Sequence, residues 1–290
     1  VDSFPEKLIS SDYTLQIILV VCDENLEWLP NVAKVRSSLL VYTKCSDLKE
    51  TQLENLKKLG ATVRRGPRSS GYSTKSLHTY VSDMIERKKS LGSKNTSYLY
   101  IRPSLLFAFD EIKRNGKVQL FEHNVEKQKL KIESFFASLK KLSESERVLA
   151  KIGFLEFGDT RSRSFNCIDF TQRRFPQNVA KQWKIDGLPC IFRGFPRNQF
   201  LISASYLDRV SLPLLFEILK ALDESHKKKR TRKIGRNYFA RKLEQFWDGL
   251  MGCPLEGGMN YCDNCGNLGK TGGYGIEKVA TILEDIEDEN

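Results

Sequence analysis

No stretch of the 290 residues approaches the ~20 unbroken apolar positions that a membrane-crossing helix needs, which excludes such a helix from this sequence. Internal repeats and heptad runs are also lacking, so neither a repeat array nor a coiled coil is expected. No histidine falls in the cysteine-rich tail, and no acid interrupts the basic run between Lys227 and Lys242. A secretory signal is not visible, but the chain begins at Val1 without methionine, which leaves room for a leader, an anchor or a transit peptide ahead of it. A removed leader would place the chain in the secretory lumen; the alternatives are an organelle or the cytoplasm.

What is present suits a large globular unit. With 290 residues, 40% of them hydrophobic, the chain can form one sizeable domain, or a domain with an appendage. The formal charge of +11 favours anionic partners: nucleotide phosphates, nucleic acid or an acidic membrane surface. Much of that charge is concentrated in Lys227, Lys228, Lys229, Arg230, Arg232, Lys233, Arg236, Arg241 and Lys242. Such a run serves as a solvated loop, as a lysine-arginine loop that closes on phosphates, or as a patch that docks on RNA. No aromatic residue is interleaved with the cations before Tyr238, which argues against stacking of single-stranded bases. The segment from Glu284 to Glu289 is acidic in turn.

Of the seven cysteines, Cys22, Cys45, Cys167 and Cys190 are scattered, whereas Cys253, Cys262 and Cys265 cluster in a Gly-rich stretch. Three thiolates are one short of a structural zinc site, so a zinc knuckle would need a ligand from elsewhere. A disulfide is equally compatible with a secreted chain, and the odd count then leaves at least one thiol unpaired. Asn95-Thr96-Ser97 is a glycosylation sequon that matters only in a lumenal compartment.

Hydrophobic patterning predicts alternating strands and helices. Leu15–Val21 reads as a buried strand that breaks into the polar Cys22-Asp23-Glu24-Asn25, and Ser37–Thr43 reads as a second. A helix is expected over Leu48–Leu59, ended by Gly60, and a short strand over Ala61–Val63. After the loop Gly66–Gly71, Ser73 is expected to cap a helix with a buried stripe at Leu77, Val81, Met84 and Ile85. Ser97–Ile101 makes a fourth strand, stopped by Arg102-Pro103. This alternation predicts a parallel, doubly wound α/β sheet.

Further on, Glu122–Leu142 is expected to be helical, with Ile132, Phe135, Phe136 and Leu139 inward, and residues 150–195 to form short strands and long loops. Asn198–Tyr206 alternates as a strand, with Phe200, Ile202, Ala204 and Tyr206 on one face. Ser211 caps a helix carrying Leu215, Ile218, Leu219 and Leu222; Phe239, Leu243, Phe246, Trp247 and Leu250 form a last amphipathic helix ended by Gly252.

Several of these pieces fall into a recognisable order. Val21-Cys22-Asp23-Glu24-Asn25-Leu26-Glu27-Trp28-Leu29 resembles the acidic "NE-D-L-x-W-L" turn of an uncharacterised family, and Leu40-Val41-Tyr42-Thr43-Lys44 is similar to its "VYNK" strand. Leu77-His78-Thr79-Tyr80-Val81 looks like its "HTYL" helix, Asn198-Gln199-Phe200-Leu201-Ile202-Ser203 like its "QFAVS" strand, and Phe239–Trp247 like its closing "ERLW" helix. The matches keep the family's order over about residues 15–252, and the family's layout resembles glycosyltransferases of the GT-A type. The resemblance implies a GT-A-like (Rossmann-like), mostly parallel sheet flanked by helices over residues 1–252, followed by a Cys/Gly-rich extension over residues 253–290. It also implies a nucleotide-sugar site at the carboxyl ends of the first strands, with acceptor contacts from the later half.

This sequence departs from the pattern at one chemically important place. GT-A enzymes usually carry an Asp-x-Asp after the fourth strand to hold a divalent metal on the diphosphate. Here that place reads Tyr98-Leu99-Tyr100-Ile101-Arg102-Pro103-Ser104, with no carboxylate before Asp110, and the family's "FLQG" is missing too. The turn before the "HTYL" helix is likewise altered, to Gly71-Tyr72-Ser73-Thr74-Lys75. Two outcomes remain: metal-independent transfer, with Arg102 and Lys227, Lys228, Lys229 and Arg230 neutralising the leaving diphosphate, or a catalytically degenerate site.

Glycosyl transfer needs that neutralisation and, if inverting, a base for the acceptor hydroxyl. Cys22, Asp23, Glu24 and Arg102 are therefore the candidate nucleotide contacts, with a solvated turn as the alternative for the acidic pair. His78 is a candidate phosphate contact or base, or else a packing histidine; Asp208 is a base candidate by position. Tyr206 and Trp247 read as core, and Arg241 and Glu244 as a helical pair. Two functions follow: a transferase-like protein using a nucleotide sugar and an unknown acceptor, or a non-catalytic basic subunit binding RNA or a multi-subunit assembly.

Overall fold

The computed structural model describes residues 13–21, 26, 28–43, 48, 50–66, 72–90, 95–101, 133, 135–156, 163–165, 176–188, 192–194, 199–227, 239, 243 and 246–251. Its centre is a six-stranded sheet in the order β3-β2-β1-β4-β8-β5. The strands are β1 (Thr14–Val21), β2 (Ser37–Thr43), β3 (Thr62–Arg65), β4 (Thr96–Ile101), β5 (Phe154–Glu156) and β8 (Phe200–Ser203). β1, β2, β3 and β4 are mutually parallel, while β8 runs antiparallel to both β4 and β5. A separate antiparallel pair joins β6 (Arg163–Phe165) to β7 (Phe192–Gly194). The expected mostly parallel α/β sheet is thus present, with one reversed strand in its interior.

The run Leu15–Val21 forms a strand because both of its faces are covered, so neither face requires polar residues. Alternation then divides the side chains between two layers. Ile18, Val20, Leu40, Tyr42, Tyr98, Tyr100, Phe200, Ile202 and Phe154 pack on one side. There they meet α2 (Tyr72–Lys89), α5 (Gln177–Ile185) and α7 (Leu212–Lys227). Ile17, Leu19, Val21, Leu39, Val41, Leu99, Ile101 and Leu201 face the other side. That side is covered by the 3-10 turn Leu29–Lys34, by α1 (Glu50–Lys58) through Leu56, by α3 (residues 135–144) through Phe135, Phe136, Leu139 and Leu142, and by α4 (Glu146–Lys151).

Aromatic rings concentrate where the reversed strand enters. Phe200 stands 4.8 Å from Tyr100, 5.8 Å from Phe154 and 4.7 Å from Trp247 between ring centroids. Each such pair adds about 0.5–1.5 kcal/mol beyond the area it buries. Trp247 opens α8 (Trp247–Leu250), so this cluster fastens the late part of the chain to the middle of the sheet.

Several local expectations are met. Gly60 follows α1 with φ +68°, and its N–H bonds to Lys57 O, closing the helix in the left-handed conformation that glycine adopts without a Cβ penalty. The stripe Leu77, Val81, Met84 and Ile85 is buried, and Ser211 Oγ accepts from Leu214 N at 3.4 Å, capping α7.

Others are corrected. α2 begins at Tyr72, so Ser73 lies inside its first turn rather than capping it. Residues 177–185 form a helix where short strands and loops were expected, with Val179 and Trp183 buried one turn apart. The strand from residue 198 stops at Ser203, whose Oγ accepts from Tyr206 N and starts α6 (Ala204–Leu207). Ala204 and Tyr206 are buried as anticipated, but as helix residues. The closing helix is interrupted at Phe246 (φ −109°, ψ 7°), whose N–H bonds three residues back to Leu243 O. That tighter step turns the chain, and Phe239, Leu243, Phe246, Trp247 and Leu250 all remain buried across it. Residues 122–132 of the expected third helix and the tail 253–290 lie outside the described residues.

Candidate functional site

The strand order defines where a ligand binds best. From β1 the chain proceeds outward through β2 to β3, then crosses back over α2 to place β4 on the opposite side of β1. Adjacent crossovers therefore diverge above the carboxyl ends of β1 and β4, which is where open α/β sheets bind ligands. Val21 pairs with Thr43 and Thr43 with Arg65, so these residues and Ile101 mark that rim. Because β8 is reversed, it begins at the same rim: Phe200 pairs with Tyr100, and Gln199, just before it, is buried.

α2 descends from this rim antiparallel to the strands, with a polar stripe turned to the sheet. Near its middle, Asp83 is 2% exposed and accepts from Tyr42 Oη at 2.7 Å, Tyr100 Oη at 2.7 Å, and Arg87 Nε and Nη2 at 2.6 and 3.1 Å. Burial first, and the Asp83 charge second, push both tyrosine hydroxyls above their ordinary range. The Arg87 guanidinium also lies 4.0 Å over the Tyr98 ring, and its pKa is raised: burial opposes its charge, but the electrostatic and hydrogen-bonding contributions of Tyr100 and Asp83 outweigh that. This network satisfies every charge within it and anchors α2 over β1, β2 and β4.

Gly66, just beyond β3, donates its N–H to Thr43 O at 2.8 Å; a Cβ there would stand 3.1 Å from that oxygen and 3.4 Å from Thr79 Oγ1. Ser76 is completely buried, yet among the described residues its Oγ has no hydrogen-bond partner. Trp28 Nε1, in the turn after β1, is buried with no acceptor among the described residues, while its ring stacks on Phe136 at 5.5 Å. Ser76, Thr79 and Gln199 were not singled out by the sequence as site residues. All three are neutral, and only their burial at the strand ends distinguishes them from ordinary surface residues.

The candidates named from sequence fare differently. His78 is nearly buried between α2 and α7, with Nε2 2.9 Å from Asp223 Oδ1 and Nδ1 3.4 Å from Ser82 Oγ. A carboxylate only accepts, so the Nε2–H donates to Asp223, while Nδ1 is taken up by the Ser82 hydroxyl, which can either donate or accept. That arrangement is the packing histidine: it ties two helices together and leaves no ring nitrogen for an acceptor hydroxyl.

Asp208 is placed at the far edge of the sheet. Ser203 pairs with Ser97, at the amino-terminal end of β4, and Asp208 follows one short helix later with its side chain 61% exposed. Lys88, at the other end of α2 from the rim, donates to Leu207 O and Asp208 O at 2.9 and 2.8 Å. The reversal of β8 thus removes Asp208 from the candidate site. Cys22, Asp23, Glu24, Arg102, Lys228, Lys229 and Arg230 lie outside the described residues, as do Cys253, Cys262 and Cys265. Lys227 is the last residue of α7. In sequence, Cys22 directly follows Val21 and Arg102 directly follows Ile101, the two strand ends at the switch point.

Among the described residues no group of three His, Cys, Asp or Glu side chains is arranged to hold a metal ion, and no helix is long and apolar enough to cross a membrane. No protein-family model matches this chain, and no curated protein matches it.

Proposed function

We propose that this chain is a GT-A-like protein that binds a nucleotide sugar above the carboxyl ends of β1 and β4, as a metal-independent glycosyltransferase or as one whose catalytic site has decayed. The observation that supports this reading most is the strand order around β1. It opens a switch point next to the segments that begin with Cys22-Asp23-Glu24 and with Arg102. In this reading Asp23 and Glu24 contact the ribose or base, while Arg102 and the cations of Lys227, Lys228, Lys229 and Arg230 neutralise the diphosphate in place of a metal. Neither His78 nor Asp208 takes the base role.

Uridine and guanosine diphosphate sugars provide the test. Binding of one of them raises the melting temperature by several degrees, because a ligand that binds only the folded state stabilises it by mass action. Absence of any shift across the nucleotide sugars would overturn the proposal.

A further inference from the structure

The most informative group at the rim is the Ser76 hydroxyl. It is completely buried and makes no hydrogen bond among the described residues. Buried hydroxyls nearly always find a partner, so an orphaned one marks a place where something else supplies it. Ser76 shares the sheet-facing stripe of α2 with Tyr80, Asp83 and Arg87, at i, i+4, i+7 and i+11. Asp83, lower on that stripe, is fully satisfied by Tyr42, Tyr100 and Arg87. Seven residues of helix separate the two, which sets Ser76 about 10 Å nearer the start of α2 and about one turn beyond Thr79, whose Oγ1 lies beside Gly66 at the end of β3.

A second feature converges there. α2 is 18 residues long, and its first turn contains no acid. The leading N–H groups of such a helix have no intrahelical acceptor, and the helix dipole is positive at that end. A hydroxyl donor in the first turns of such a helix suits a phosphate oxygen.

We propose that the Ser76 hydroxyl and the amino end of α2 hold the diphosphate of a nucleotide ligand, with Ser76 Oγ donating to a phosphate oxygen. The assignment rests on the nucleotide-sugar reading above and specifies which part of the ligand α2 takes. It also gives the diphosphate a neutral hydrogen-bonding cradle in a chain that lacks Asp-x-Asp.

Titration calorimetry on the full chain tests it, comparing wild type, Ser76→Ala and Ser76→Cys with uridine diphosphate, guanosine diphosphate and inorganic pyrophosphate. Loss of one hydrogen bond to a charged oxygen is expected to weaken the nucleotide that binds, and pyrophosphate, by about tenfold or more. Ser76→Cys puts a larger sulfur with only a weak S–H donor in its place, and is expected to lose as much. Ser76→Ala keeps the wild-type melting temperature or exceeds it, because the ligand-free hydroxyl stabilises nothing. Unchanged affinity in both variants overturns the Ser76 assignment and leaves the nucleotide reading standing. Wild type binding pyrophosphate through Ser76, but neither nucleotide, keeps the anion site and sinks the nucleotide reading. Wild type binding none of the three removes both.

Discussion

The Tyr100 hydroxyl donates to Asp83 Oδ2 at 2.7 Å across the interface between the central sheet and α2, with Tyr100 completely buried and Asp83 nearly so. Tyr42 reaches the other carboxylate oxygen from β2, and Arg87 closes the group from the same helix one turn on. Removing a member therefore costs unequal amounts. Tyr100→Phe is expected to lower the unfolding free energy by about 1.5–3 kcal/mol, the range for a hydrogen bond to a charged group. Asp83→Ala strands a guanidinium and two hydroxyls and is expected to cost about 3–5 kcal/mol. Urea denaturation of the two variants checks the order; equal losses would mean that the network does not hold α2.

The same contact sets an alkaline limit. Burial and the neighbouring carboxylate hold the Tyr42 and Tyr100 hydroxyls protonated above the ordinary value of 10.0. A raised folded-state pKa gives a contribution that is full below the unfolded value and declines as pH climbs past it. Stability should accordingly fall above about pH 10, and fall less steeply in Tyr100→Phe. Lys88 works in the other direction: burial lowers its pKa, so its contribution grows as pH rises toward its ordinary 10.5. Urea midpoints measured from about pH 8 to about pH 11 in wild type, Tyr100→Phe and Lys88→Met separate the two effects.

Gly60 offers a purely conformational test. Its φ of +68° is required by the closing bonds of α1, while a Cβ there would meet nothing within 4 Å. Gly60→Ala is therefore expected to cost about 1–2 kcal/mol from left-handed backbone alone. Thermal denaturation gives the value; a neutral result would show that the turn relaxes.

Asp208→Asn separates the two edges of the sheet. The residue lies at the edge opposite the switch point, and it is Asp208's main-chain oxygen, not its carboxylate, that Lys88 contacts at hydrogen-bonding distance. Its substitution should leave nucleoside diphosphate affinity unchanged in calorimetry. A loss of affinity would mean that the ligand sits at the amino-terminal edge.

The basic run distinguishes the two functional readings. Replacing Lys227, Lys228, Lys229 and Arg230 with alanine is expected to weaken nucleoside diphosphate binding if these cations neutralise the diphosphate. Salt-sensitive RNA retention that collapses in the same variant, with no nucleotide binding by wild type, would favour the basic-subunit reading instead.

Strands whose two faces are both buried were legible from their unbroken aliphatic character, and β1 and β2 fall almost where Leu15–Val21 and Ser37–Thr43 place them. Strand direction was not legible. Nothing in Phe200-Leu201-Ile202-Ser203 distinguishes a parallel from an antiparallel partner, because direction depends on which edge the preceding connection ends at. Asp208 is a base candidate only through its position after that strand; a parallel β8 would carry it to the carboxyl rim, and the reversal takes it to the other edge. The helix at residues 177–185 leaves little trace in the sequence because only Val179 and Trp183 give it a buried face within a polar window. Ser76 was invisible for a related reason: a serine in a helix start reads as solvated, and burial is a property of the fold.

The reversed β8 has a further consequence for biosynthesis. It pairs with β4 on one side and β5 on the other, so the sheet's interior is completed by a segment that leaves the ribosome after both of its neighbours. Until residue 203 has emerged, β4 carries an unprotected hydrogen-bonding edge lined by Tyr98 and Tyr100, an invitation to pair with a neighbouring chain. The domain must therefore wait for its late residues before it can close, and chains truncated ahead of Phe200 belong with quality-control substrates rather than with smaller versions of the same protein.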